Sequence, residues 1–263
     1  DNISRALALN PSDAEIRMFN AMLYLLKDRD LDKAEIELKL AYELDPYSNM
    51  VIIRLGLVQY LKRDYHAAYN TFTILLKDKE YRAYTSIRLA WCCLMMGDYD
   101  NALIHLKDEN KDYEYYNMVL GTFLVIYANR KDEEGFFKYR NIIESLPETD
   151  LTYCYNHAVL NKVLDKPDVA VSFLAKSMEN PMMLFMFIHL DEFWEDYYDH
   201  PAFIALIDEK YNKGRKKLIR INSDTKEYME MNPDEFLYAE AQDNYTLIVR
   251  KKNKEVKEKV LRT

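Results

Sequence analysis

Along most of the chain, apolar residues recur at helical intervals with polar and acidic residues between them. From about residue 213 the rhythm changes to short runs in which apolar and polar positions alternate. These two periods place their side chains on one stripe of a helix and on one face of a strand, respectively. They predict helical pairs at about 12–46, 47–80 and 81–112, with less regular pairs at about 113–147 and 148–180. A short helical segment follows over 181–212. The strand-like runs after it are KKLIRI, KEYMEM, EFLYAEA, NYTLIVRK and VKEKVL, with NSD, NPD, QDN and KKNKE as turns or loops between them.

The helical part repeats itself. Ala34, Ala68 and Ala102 follow one another at a constant spacing, as do Leu31, Tyr65 and Tyr99, then Leu38, Phe72 and Leu106, and then Met22, Gly56 and Ala90. Gly56, Gly97 and Gly121 fall in helical patterns and read as small residues placed for close packing. Pro11 and Pro46, in ALALNP and AYELDP, follow an asparagine or aspartate and suit turns after a helix. A spacing of 34 residues with small residues inside each helix and an aromatic or leucine opening the second one resembles the tetratricopeptide repeat. The residues that carry this resemblance are Ala34, Ala68, Ala102, Gly56, Gly97, Tyr65, Tyr99 and Pro46. It implies a solenoid of antiparallel helix pairs, each too small to bury its own apolar stripe, that takes a protein or peptide as partner. Because DNISRALALNP reads as the end of a second helix, its partner helix is expected to lie before Asp1.

The alternating end carries a second resemblance. PDEFLYAEAQDNYTLIVRKKNKEVKEKVLRT is similar to the opening of a LytTR-type DNA-binding domain, within a stretch covering 215–263 and ending where about half of such a domain remains to be written. The resemblance implies a loop at Gln242, Asn244 and Tyr245 that approaches bases, with Asp243 fixing the loop. Arg250, Lys251, Lys252 and Lys254 would then contact phosphates. The ordinary alternative for the same residues is a turn with lysines guarding an edge strand. The expected fold is therefore mainly α, a tetratricopeptide-like solenoid followed by a small, truncated LytTR-like β domain. The domains are 1–180, a capping segment at 181–212, and a β module at 213–263. The implied function is a bacterial transcription regulator whose repeats bind a protein or peptide while the tail binds DNA. The alternative is a scaffold or adaptor whose β tail docks or dimerises.

Charge sharpens both readings. Residues 210–263 hold 14 Lys or Arg against 9 Asp or Glu, whereas residues 1–209 hold 22 against 35. An acidic body repels nucleic acid and a basic end attracts it. The apolar runs are shorter than the ~20 residues that span a bilayer, and the start of the chain lacks a signal-peptide pattern, so the expected setting is cytoplasmic with no membrane partner. Cys92, Cys93 and Cys154 form neither a disulfide framework nor a C-x-x-C metal pattern. Within HLDEFWEDYYDHPAF, the residues His189, Asp191, Glu192, Glu195, Asp196, Asp199 and His200 are candidate metal ligands or acid–base groups. The weightier reading is a solvated acidic face on a cap in which Phe193, Trp194 and Phe203 cover the last apolar surface. HLDEFWEDYYDHPAFIALI is also similar to the segment that closes repeat arrays in some bacterial regulators. Phosphate-cradling and nucleophile-elbow strings are absent, so neither an enzyme nor a cofactor is expected. The tyrosines of DYEYYNM, Tyr113, Tyr115 and Tyr116, read as core or rim before they read as a peptide groove.

Overall fold

Left-handed backbone at Arg29, Arg63, Gly97, Lys131 and Asp165, with φ between 53° and 75°, recurs every 34 residues and sets the architecture. Each such residue lets the chain reverse after one helix so that the next residue can start another. The computed structural model describes residues 2–107, 119–150, 152–179, 187–212, 221–222, 228–229, 236–242, 245–252 and 255–262. Tyr113, Tyr115 and Tyr116 lie outside them. The chain divides into two compact units, Asp1–Tyr197 and Tyr198–Thr263.

Among the described residues of the first unit, α1 (Asn2–Leu9) precedes five antiparallel pairs. The pairs are α2 (Ala14–Leu23) with α3 (Leu31–Leu44), α4 (Asn49–Leu61) with α5 (Tyr65–Thr73), and α6 (Arg82–Met95) with α7 (Tyr99–Lys107). They continue with α8 (Leu120–Asn129) and α9 (Glu133–Glu144), then α10 (Tyr153–Val163) and α11 (Pro167–Ser177). Four of the five second helices open on an aspartate. Asp30, Asp64, Asp98 and Asp132 accept from the amides of Lys33, Ala67, Asn101 and Gly135 at 2.9–3.2 Å, satisfying donors that the helix itself leaves free. The fifth, α11, begins instead at Pro167, whose missing N–H costs nothing in the first turn.

The small columns of the sequence lie where helices touch. Ala34, Ala68, Ala102 and Ala170 are all fully buried. A Cβ on Gly56 would stand 2.6 Å from the buried Phe72 ring, so α4 and α5 approach too closely for any side chain there. In α9 the column breaks at Phe136, and the small residue moves to Gly135, where a Cβ would run into Tyr127. Gly97 departs from its expected helical place. It lies in the turn after α6 with φ +75° and open space around it, serving backbone reversal rather than packing.

Two apolar clusters run through this unit, one centred on α2–α5 and one on α7–α10, and α6 serves both. Cys92 is buried in the first cluster and its neighbour Cys93 in the second. Burial pushes the Cys92 thiol up to about 12 and Cys93 up to about 11, which keeps both in the unreactive thiol form. Between α8 and α10 the buried Asn156 accepts from the Gly121 amide at 2.9 Å and donates to Thr152.

The second unit contains α12 (Pro201–Ile207), a π-helical turn at Asp208–Asn212, and strands β1 (Ile221–Asn222), β2 (Tyr228–Met229), β3 (Phe236–Gln242), β4 (Tyr245–Lys252) and β5 (Glu255–Arg262). β1 pairs with β2 over two residues, while β3–β4–β5 form a separate antiparallel meander with Gln242 opposite Tyr245 and Lys252 opposite Glu255. The expected LytTR-like β domain is corrected here. The fold is that of a helical repeat, and beyond residue 212 the described residues comprise only these two local pairings. Alternation and turn residues specify hairpins, which are short-range, whereas a β domain needs a further layer against which one sheet face is buried. The strands expected near residues 235–261 are present, but the described residues do not assemble them into a β domain.

Candidate functional site: a groove along the first helices

The first helices α4, α6, α8 and α10 line a common groove in the repeat unit, with Tyr60, Trp91, Thr122 and Tyr155 along its wall. Helix α4 places apolar or small residues on nearly every side, and ten of its thirteen residues are buried, which follows from packing on both neighbours and on the groove contents. The Trp91 indole donates to Thr122 at 3.0 Å and ties α6 to α8. Arg88 lies over the rings of Tyr84 and Trp91 at 4.8 and 4.7 Å.

The groove is occupied by the chain's own residues 187–197. A turn at 187–190 leads into a 3-10 helix, Glu192–Tyr197, that crosses the groove. Tyr60 donates to Asp191 at 3.3 Å and Tyr65 donates to Glu192 at 2.5 Å. The Arg63 guanidinium spans Glu192 at 3.4 Å and Glu195 at 2.7 Å. Lys162 pairs with Asp196 and also lies over the rings of Phe193, Trp194 and Tyr197 at 5.3, 5.7 and 4.6 Å. Trp194 is fully buried, its ring 6.3 Å from that of Tyr155.

Electrostatics follow from this packing. Burial raises the Asp191 carboxyl above its ordinary value and Glu192 adds to the rise, against the Phe193 amide, Tyr60 and Arg88, which favour the ionised form. Burial likewise raises Tyr60 and Tyr155, and in Tyr65 the bond to Glu192 adds to it, so all three hydroxyls remain donors. Burial also lifts Tyr197 to about 12.

The sequence-derived candidates fall differently from expectation. Glu195 and Asp196 are exposed, as a solvated face requires, but the acidic residues also pair back onto the repeats: Asp191, Glu192 and Glu195 reach some 130 residues to Tyr60, Tyr65 and Arg63, and Asp196 reaches Lys162. Among the described residues no three His, Cys, Asp or Glu side chains converge to hold a metal ion. Tyr65 and Tyr99 open α5 and α7, and Pro46 follows α3 in an exposed turn. Gln242 ends β3, Tyr245 begins β4, and Arg250, Lys251 and Lys252 lie near its far end, while Asn244 and Lys254 fall outside the described residues. Sequence reasoning missed Arg63, Arg88 and Lys162 as a group. No periodicity links an arginine in a left-handed turn to an acidic segment so distant in the chain, and these three are unremarkable among the 22 Lys or Arg of residues 1–209.

No family model and no curated protein matches the chain. Similar solved structures include Pseudomonas aeruginosa PilF, 17% identical over 74% of this chain and 86% of that one, with a TM-score of 0.49. YrrB, reported as a TPR protein with an unusual peptide-binding site, is 20% identical over 72% and 97%, with a TM-score of 0.46. A tetratricopeptide repeat protein from Parabacteroides merdae is 16% identical over 76% and 79%, also at 0.46. Among the described residues no helix is long and apolar enough to cross a membrane.

Proposed function

We propose that this chain is a non-enzymatic adaptor that binds a protein segment in the groove of its helical repeats. The observation that carries the reading is the seating of residues 191–197 across α4 and α10, with carboxylates on Tyr60, Tyr65, Arg63 and Lys162 and an aromatic anchor at Trp194. Rings with polar tips beside cations offer rigid contact area and directional hydrogen bonds, which is what peptide recognition needs. The DNA-binding reading rests on the sequence resemblance of Gln242, Tyr245 and the following cations alone.

A photoreactive benzophenone side chain introduced at Leu94, on the groove wall, tests the reading. The adaptor is expected to cross-link to protein in cells, and the purified chain is expected to leave a DNA duplex unretarded at low salt. Absence of protein cross-links together with saturable, salt-sensitive DNA retardation would reverse the assignment.

A further inference from the structure

Resting on the adaptor reading, we infer that the groove takes a partner segment of acidic–aromatic chemistry, and that residues 191–197 are a built-in competitor which such a partner displaces. The chain's own segment shows what fits: carboxylates flanking adjacent aromatic residues, in the order DEFWED. Each part has a matched receptor. Tyr60 and Tyr65 donate to the first two carboxylates, Arg63 to the second and third, and Lys162 meets the last while facing three rings. Residues 1–209 are strongly acidic, so cations gathered here run against the charge of the body and mark a surface complementary to an acidic ligand.

The occupant is held in a way that permits exchange. It is a 3-10 turn, whose hydrogen bonds are weaker than those of an α-helix. The Arg63–Glu195 pair is open to water, with side chains 46% and 49% exposed, which limits it to a small contribution, while Lys162 is the more sheltered cation at 13%. Beside Asp191 and Phe193 a small cavity, open to solvent and lined also by Leu94, Met95 and Val125, remains unfilled. A partner residue larger than those of the internal segment gains contacts there. Tethering gives the internal segment an effective concentration on the order of millimolar, so a free peptide of equal affinity is excluded until the tethered copy is weakened.

Fluorescence anisotropy of a labelled, end-blocked peptide with the sequence HLDEFWEDYYD tests this on the full chain. Trp194→Ala is expected to bind the peptide at least tenfold more tightly than the unaltered protein, and adding Arg63→Glu is expected to remove at least tenfold of that affinity. If Trp194→Ala fails to fold, the pair Glu192→Lys and Glu195→Lys loosens the same segment from the surface and serves in its place. Equal binding by released and unaltered proteins, or indifference to Arg63→Glu, overturns the proposal. Equal affinity for a charge-inverted peptide also overturns it, while leaving the adaptor reading intact. A concentration-dependent dimer of the unaltered protein that Arg63→Glu abolishes would assign the groove to a second copy's segment and overturn the peptide partner.

Discussion

The Asp191 carboxyl accepts from Tyr60 and from the Phe193 amide, yet it lies where burial raises its affinity for a proton. The folded chain therefore holds this proton more firmly than the unfolded chain does. Between the two pKa values stability falls as pH rises, and the penalty is complete above the folded value. Asp191→Asn keeps an oxygen acceptor for both donors without the charge, so its melting temperature at neutral pH is expected to exceed that of the unaltered protein, with a flatter pH profile. Thermal melts across the acid-to-neutral range would show it, and parallel profiles would count against the buried charge. Lys131 presents a different cost. It is an exposed side chain on left-handed backbone, φ 56°, at the place where the third repeat unit has Gly97. Lys131→Gly is expected to stabilise by about 1 kcal/mol, since glycine alone adopts that conformation without penalty. Urea titration is the measurement.

Four of the second helices owe their starting points to single aspartates. Asp98 accepts from the Asn101 backbone and side-chain nitrogens, and these two bonds hold its carboxyl below the usual carboxylate range. Asp98→Ala is expected to cost about 1 kcal/mol and to fray the start of α7 first, readable as faster amide hydrogen exchange there. These helix pairs were legible in the sequence because the 34-residue spacing places like residues in like environments: Ala34, Ala68 and Ala102 are buried as their column requires. Gly97 was misread, since a glycine three residues beyond Leu94 fits a helical pattern as well as a turn, and only the sign of φ separates the two. In the C-terminal part, alternation located the strands but not what they belong to. Period two reports which residues share a face, and it carries no information about whether another layer covers that face.

The repeat unit as a whole is a row of neighbours, so its stability is local. Leu38 is fully buried in the first apolar cluster and Ile143 in the second, with α6 between them. Leu38→Ala and Ile143→Ala are each expected to cost about 2–5 kcal/mol. The double variant should match their sum to about 0.5 kcal/mol, because the two sites share no partner. Denaturation of the three variants tests this, and strong non-additivity would mean that the row unfolds through long-range coupling. The groove was the least legible feature at this level. Each contributing residue is ordinary in its own repeat, and Tyr60, Arg63 and Lys162 stand out as one set only through their shared contacts with residues 191–197.

The evenly spaced left-handed turns also bear on how such a chain can be rewritten. Residues 63–65 read Arg-Asp-Tyr and residues 97–99 read Gly-Asp-Tyr, each a reversal, a cap and the first residue of a second helix. Excising residues 65–98 joins Asp64 directly to Tyr99, so the junction still spells reversal, cap and helix start. Excising one residue more or fewer leaves the cap out of step and turns the following helix by about 100°. The register of this array is thus kept in steps of 34: a deletion of that length preserves the order of turn, cap and helix start at the junction, whereas one residue more or fewer does not.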